Sequence, residues 1–209
     1  MNWQFVSGQK KHTEDGPSLV ALIKGIGHGK RPVRAIDVGC GDGIIAHELL
    51  KHRKATSVVA IDIQSAAVAA TKINLKPFIE EGVAHVTKMS AQGFFRQRKN
   101  WHQFDRFVIN PPFFVEGSGR ANKNSLDQTA RHEGGLTLKV WAQGARRLLK
   151  SGGELYCVFP TERLSELLAV LSAKGIEPKN LWWLKDDPRQ RRVFVRAVRG
   201  GRPGLQVIL

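Results

Sequence analysis

The stretch Arg34-Ala35-Ile36-Asp37-Val38-Gly39-Cys40-Gly41-Asp42-Gly43 reads as a short apolar strand running straight into a tight, glycine-rich turn. Three glycines in the five residues from Gly39 to Gly43 let the backbone bend sharply and let a ligand approach it closely. Ile44-Ile45-Ala46-His47-Glu48-Leu49-Leu50 follows with its apolar residues at helical spacing. Strand, glycine turn and helix form the opening unit of an open α/β sheet, whose ligands bind beyond the carboxyl ends of the strands.

Working outward, Pro17 opens a helix through Ile23, and Ser57–Asp62 is a second strand leading into an Ala-rich helix over 64–74. Further strands are expected at Ala84–Thr87, Arg106–Ile109 and Glu154–Phe159, with helices over 136–150 and 161–174. Asn180–Leu184 and Arg192–Val198 read as antiparallel neighbours joined by the charged turn Lys185–Arg191, and the tail Leu205–Leu209 is strand-like. Five cycles of strand and helix call for a mostly parallel sheet covered on both faces. The expectation is one domain over 1–209, with a polar N-terminal segment at 1–16 and a long substrate-side loop at 113–135.

Charge sets this chain apart, with 33 Lys+Arg against 18 Asp+Glu, a net +15. Residues 139–209 hold 14 of the basic and 6 of the acidic groups, so the surplus is densest in the last third. Such a surplus favours a polyanionic partner such as nucleic acid, and a generally basic surface is the plainer reading. Two cysteines, Cys40 and Cys157, are too few for a disulfide framework or a four-cysteine zinc site. No apolar run approaches the roughly 20 residues of a membrane span, and Met1-Asn2-Trp3-Gln4 lacks a signal pattern. A monomer in a reducing cytoplasm, away from membranes, is expected.

The chemistry concentrates at Asn110-Pro111-Pro112-Phe113-Phe114. This motif leaves the apolar run Phe107-Val108-Ile109, and its two prolines end the strand because each lacks an N–H and fixes φ. A polar amide is thereby held on stiff backbone at the sheet edge, with two aromatic rings just beyond. The Asn110 side chain and a nearby carbonyl can accept hydrogen bonds from a ring amine while a Phe face stacks on the ring. Asp37, which opens the glycine turn, would repel a pyrophosphate but could orient a cationic amino-acid group, directly or through water. Asp62 ends the second strand, where a ribose diol would meet a carboxylate. A ribose, a positive amino group and no phosphate together describe S-adenosylmethionine.

Asp37–Gly43 with Asp62 resembles the Rossmann-type S-adenosylmethionine-dependent methyltransferases, and Asn110-Pro111-Pro112-Phe113 resembles their branch that acts on nitrogen. More narrowly the chain is similar to the bacterial tRNA1(Val) adenine-37 N6-methyltransferase family. Asp15-Gly16, Arg131-His132-Glu133, Lys150-Ser151-Gly152-Gly153, Pro160-Thr161-Glu162-Arg163-Leu164 and Arg191-Arg192-Val193 carry the likeness almost to the end.

The resemblance implies a seven-stranded Rossmann-like sheet with an antiparallel C-terminal strand pair, S-adenosylhomocysteine as product, and an RNA substrate, most readily tRNA. It assigns Asp37, Gly39, Cys40, Gly41, Gly43, Asp62, Ile63, Ser90, Ala91 and Asn110 to the cofactor. Asn110, Pro111, Pro112 and Phe113 become catalytic, and Phe113, Phe114, Arg131, His132, Arg191 and Arg192 contact substrate. The family commonly has an acidic residue after the third strand; here Lys88-Met89-Ser90-Ala91 leaves Ser90 to meet the adenine amine with a weaker hydrogen bond.

Several features admit two readings. Arg96, Arg98 and Lys99 with Trp101 and His102 form a basic aromatic patch that could touch RNA, or a solvated helix end. Arg189, Arg191 and Arg192 are candidates for phosphate contact. His132 has no partner histidine at ligand spacing, so no metal is expected. Guanine-N2 methylation of ribosomal RNA, N5 methylation of a protein glutamine, and RNA binding without turnover remain as rivals.

Overall fold

The computed structural model describes residues 3–6, 14–26, 31–111, 136–183 and 191–208. Eight strands form one sheet: β1 (Arg34–Val38), β2 (Ser57–Asp62), β3 (Ala84–Lys88), β4 (Phe104–Ile109), β5 (Leu149–Pro160), β6 (Ile176–Trp183), β7 (Arg192–Arg199) and β8 (Gln206–Ile208). Their order is β3-β2-β1-β4-β5-β7-β6-β8. β7 runs antiparallel to β5 and β6, and every other pairing is parallel. The expected class holds, but the sheet has eight strands where seven were expected. The eighth comes from the tail, whose Gln206–Ile208 adds onto β6 in parallel although all three side chains are exposed.

Helices α1 (Asp15–Leu22), α2 (Ile44–Lys51), α3 (Ser65–Asn74) and α4 (Lys76–Glu80) belong to one layer. Leu19, Val20, Ile45, Leu49, Val68 and Leu75 meet Ala35, Val58, Val108, Tyr156 and Phe194 there. Helices α5 (Ala91–Arg96), α6 (Leu138–Leu148) and α7 (Leu164–Ala173) cover the other face. Phe94, Phe95, Trp141, Leu148, Leu167 and Leu171 pack on Ile36, Phe107, Ile109 and Leu155. Central strand β4 is buried at all six positions, which is why Phe104–Ile109 is apolar on both faces apart from Asp105 and Arg106. Trp182 and Trp183 point to opposite layers, each partly buried against a different core. Cys157 is a buried core residue with a free thiol.

Local boundaries differ from the sequence pattern where tertiary packing decides them. Asp15 and Gly16 lie inside the first turn of α1 rather than ahead of it, because Asp15 is buried and paired with Arg192. Lys150-Ser151-Gly152-Gly153 is a bulge within β5, not a connector before it. Phe104 pairs with Leu149 and Arg106 with Glu154, so five residues of β5 advance against two of β4. Thr161–Arg163 is a 3-10 turn ahead of α7. The expected turn Lys185–Arg191 and the loop 113–135 fall outside the described residues, save for Arg191.

One close approach is testable. A Cβ at Gly144 in α6 would stand 2.3 Å from Phe95 Cδ2. In an open helix interior, Gly→Ala stabilises by about 1 kcal/mol. At this contact, Gly144→Ala should instead destabilise by about 1–3 kcal/mol through overpacking, measured by urea unfolding. A raised midpoint would mean that Phe95 yields freely.

Candidate functional site

The strand order doubles back at β1, which has β2 on one side and β4 on the other. This switch point is where an open α/β sheet leaves a crevice beyond its carboxyl ends. Register brings the candidate residues level there. Val38 pairs with Ile61 and with Ile109, so Gly39, Asp62 and Asn110 are the next residues on three adjacent strands. Asp62 in turn pairs with Lys88, which places Met89 and Ser90 just past the next strand.

The glycine turn is clamped from several directions. Gly39 and Cys40 donate to the Ile61 carbonyl at 2.9 and 3.0 Å. Asp62 Oδ2 accepts from Gly41 N at 3.0 Å, and its Oδ1 accepts from Gln64 N at 2.9 Å. From α3, Thr71 Oγ1 donates to Gly41 O at 2.8 Å, and Asn74 Nδ2 donates to Asp42 O at 2.9 Å. Asn74 also joins Gln4, accepting from its N at 2.9 Å and donating to its O at 2.8 Å. Trp3 Nε1 donates to Asp42 Oδ2 at 3.2 Å.

Thr71 and Asn74 are fully buried site residues that the sequence reading missed. Their signal is two polar side chains three apart on the covered face of an Ala-rich helix. The glycines themselves divide the labour. At Gly39 (φ +70°) and Gly41 (φ +58°) a Cβ would meet no atom within 4 Å, so the turn opens onto free space. At Gly43 (φ +86°) a Cβ would stand 2.8 Å from Thr71 Cγ2, so this side is closed.

Asp37 lies fully buried beneath the turn. Its Oδ2 accepts from Ala46 N, in the first turn of α2, at 3.1 Å, while Oδ1 has no partner among the described residues. Burial raises its carboxyl from 3.8 to about 7; the Ala46 bond opposes this, and the charges of Asp62 and Asp42 reinforce it. Burial also raises Asp62.

Three carboxyl groups thus surround an open turn, a setting that opposes a phosphate and suits a cation. Asp62 accepts from the backbone N–H groups of Gly41, Gln64 and Ile63, and its two oxygens still have acceptor capacity for a diol. The open glycine floor, the remaining acceptor capacity of Asp62 and the acidic surroundings therefore fit S-adenosylmethionine, with its ribose and positive charges. Among the described residues no group of His, Cys, Asp and Glu could hold a metal ion, and no helix is long and apolar enough to cross a membrane.

The structure brings together Asp37, Gly39, Cys40, Gly41, Gly43, Asp62, Asn110 and Pro111, with Asn110 half-buried and Pro111 buried. Ile63 is half-buried just past β2. Ser90 is the N-cap of α5, its side chain accepting from Gly93 N at 3.1 Å, and Ala91 is the first helical residue. Arg191 accepts from Thr161 N through its carbonyl at 2.8 Å. Arg192 pairs with Asp15 and so ties β7 to α1. Pro112, Phe113, Phe114, Arg131 and His132 lie outside the described residues. A surface depression of about 450 Å³ beside α3, α4 and β3 contains none of the candidates.

Residues 20–170 match the methyltransferase small domain family. The chain belongs to that family. Among curated members of similar sequence is the tRNA1(Val) (adenine(37)-N6)-methyltransferase of Tolumonas auensis, 32% identical over 84% of this chain and 67% of its own length. The enzymes of that name from Shewanella frigidimarina and Bacteroides fragilis are 27% and 28% identical over 68% and 69% of this chain, and 57% and 60% of their own. The chain thus spans 57 to 67% of the length of these relatives.

Solved structures share the fold. Precorrin-6y C5,15-methyltransferase from Geobacter metallireducens superposes with a TM-score of 0.61 at 12% identity, covering 94% of this chain and 93% of that one. Geranyl diphosphate methyltransferase, solved in complex with S-adenosylmethionine, gives 0.61 at 11%, covering 88% and 84%. By family the chain is a methyltransferase, and it shares its fold with these enzymes.

The Asp37 environment has a measurable consequence. Between 3.8 and about 7 the folded protein holds a proton that the unfolded chain has released, so stability falls as pH rises through that window. Asp37→Asn keeps an acceptor for the Ala46 N–H but cannot ionise. Its unfolding midpoint should fall less than the parent's between about pH 4 and pH 8. Parallel profiles would place the charge on Asp37 throughout.

Proposed function

We propose that this protein is an S-adenosylmethionine-dependent N-methyltransferase acting on the exocyclic amine of adenine in tRNA. The observation that carries the reading is the placement of Asn110-Pro111 at the carboxyl end of β4, in register beside the glycine turn on β1. The names of the curated relatives support adenine N6 and tRNA for the same family.

The cofactor would rest on Gly39–Gly41, with its ribose at Asp62 and its charge facing the acidic surroundings of Asp37 and Asp42. When bound, it supplies an electrophilic methyl group on a sulfonium. Asn110 and Pro111 then act on the acceptor. A ring amine is a poor nucleophile because its lone pair is delocalised into the ring. Hydrogen bonds from its two N–H groups to the Asn110 side-chain oxygen and the Pro111 carbonyl favour the tetrahedral nitrogen of the transition state over the flat ground state. Such stabilisation is differential, which is what accelerates a step. Phe113, with Phe114 beside it in sequence, would stack on the flipped base. The methylated nitrogen is strongly acidic and loses its extra proton to water, so no dedicated general base is required. Holding the two reactants in line contributes further.

Two substitutions separate binding from transfer. Asn110→Ala should leave S-adenosylmethionine affinity within about twofold while lowering kcat at least about 100-fold; normal turnover would remove Asn110 from the chemistry. Asp62→Ala should weaken cofactor binding, and unchanged affinity by calorimetry would overturn the ribose assignment. The substrate itself is tested with methyl-labelled cofactor, unmodified total RNA and, separately, a cell lysate. Label in N6-methyladenosine from the tRNA fraction is the expected result. Label in N2-methylguanosine or in protein would overturn the adenine assignment, and bound cofactor with no label anywhere would overturn catalysis.

A further inference from the structure

At the other end of the strands from Asn110, Arg98 and Arg147 lie against the Trp101 ring and Arg199 meets His102, with the charge of Arg146 beside Arg199. Arg98, following α5, has its Cζ 5.5 Å from the Trp101 ring centroid, and Arg147 of α6 has its Cζ at 5.4 Å. Trp101 is fixed in place by its own indole N–H, which donates to Phe95 O at 2.9 Å. His102 is locked to the same helix end, its backbone N–H donating to Arg147 O at 2.9 Å. Arg199, the last residue of β7, donates from Nη1 to His102 Nδ1 at 2.6 Å and also reaches Leu149 O. Desolvation first, and then the charge of neighbouring Arg146, pull the Arg199 guanidinium below its ordinary value.

None of Arg98, Arg146, Arg147 and Arg199 forms an ion pair among the described residues. Arg98 is exposed and Arg146, Arg147 and Arg199 are half-buried, whereas the remaining buried or half-buried arginines, Arg106, Arg163, Arg192 and Arg196, each have a carboxylate. Like charges gathered without a counter-ion, Arg199 among them partly desolvated, oppose folding. His102 adds a left-handed φ of +57°, a conformation that costs energy in a residue other than glycine. An anion bound between these groups would offset the repulsion.

We propose that the Arg98–Arg146–Arg147–Arg199 cluster around Trp101 is a docking surface for the phosphate backbone of the RNA substrate, separate from the catalytic edge. The inference rests on the tRNA reading above and adds a second point of contact to it. Guanidinium groups stacked on an indole keep their N–H edges free and oriented, and those edges match phosphate oxygens. Such contacts position an RNA without reading its sequence. The cluster lies at the Phe104 end of β4 and Asn110 just past the other end, about 20 Å away along the strand. A folded RNA is large enough to touch both, so the cluster would hold the body of the RNA while one base reaches Asn110.

The experiment compares the full chain with Arg98→Gln/Arg147→Gln and with Arg98→Lys/Arg147→Lys. Binding of unmodified tRNA and of polyglutamate is measured from low to moderate salt, and cofactor affinity by calorimetry reports that each variant is folded. In the Gln variant, tRNA affinity should fall about tenfold at low salt, with the slope of log K against log salt reduced by about one for each lost contact. KM for tRNA should rise with kcat unchanged. The Lys variant, which keeps the charge but not the planar stack, should retain the parent's slope.

Parent-like affinity and slope in the Gln variant would overturn the docking surface and leave the proposed function standing. An equal loss in the Lys variant would assign the arginines to packing on Trp101 and overturn it as well. Equal binding of polyglutamate and tRNA by the parent, both lost in the Gln variant, would replace RNA by an acidic protein. A parent that neither binds nor methylates tRNA would remove the reading on which the inference rests.

Discussion

The carboxylate of Asp62 holds the carboxyl edge of this sheet together. One oxygen accepts from Gly41 in the turn that follows β1, and the other accepts from Gln64, which leads from β2 into α3. The turn cannot shift without breaking a bond to a carboxylate already nine-tenths buried, and an unpaired buried charge costs far more than the bond itself. Thr71 and Asn74 approach the same turn from α3 and bind its carbonyls. Donors of the turn therefore go to Asp62 and the Ile61 carbonyl, and two of its acceptors go to α3. A loop rich in glycine, the most flexible residue when unfolded, becomes a fixed floor.

That arrangement explains which parts of the site could be read from sequence. Asp37, the glycines and Asp62 announce themselves because a ligand-binding turn needs those residue types at those offsets from a strand end. Asn110-Pro111 is legible for a similar reason, since paired prolines after an apolar run have few structural uses. Thr71 and Asn74 are silent: polar residues in an Ala-rich helix look like its solvated face until β1 and β2 fix which face is covered. Ser90 is legible in two ways at once: its position after the third strand fits an adenine contact, and a serine ahead of a helix is also an N-cap, whose oxygen accepts from Gly93 N and keeps a second lone pair.

The fold was legible at the level of class and alternation, and less so where pairing partners decide. Lys150-Ser151-Gly152-Gly153 has the composition of a turn, and only the register of β5 against β4 shows it to be a bulge. The tail reads as strand-like, but Gln206–Ile208 has no buried side chain to say where it pairs. It pairs because β6 offers an open edge and because Asn180 Nδ2 can donate to Gln206 Oε1 at 3.3 Å. That bond is the last link of a polar row crossing the sheet, from Arg106 through Glu154 and Arg196 to Asn180.

The same row helps explain why the surface is even more basic than the composition. Asp15, Asp37, Asp42, Asp62 and Asp105 are all buried, and Glu154 is largely covered between Arg106 and Arg196. Asp42 and Asp62 bind backbone N–H groups of the turn and its surroundings, Asp37 one of α2, and Asp15 and Asp105 take Arg192 and Lys150. These carboxylates fix strand ends, a turn and the seat of α1, and are spent inside the protein. Among the described residues no carboxylate forms an ion pair with the arginines of α6, of the turn after α5 or of the end of β7. Cation-friendly chemistry at one edge of the sheet follows from the buried Asp37, Asp42 and Asp62, and the anion-friendly surface at the other from arginines that pack on Trp101 and His102 instead of on a carboxylate.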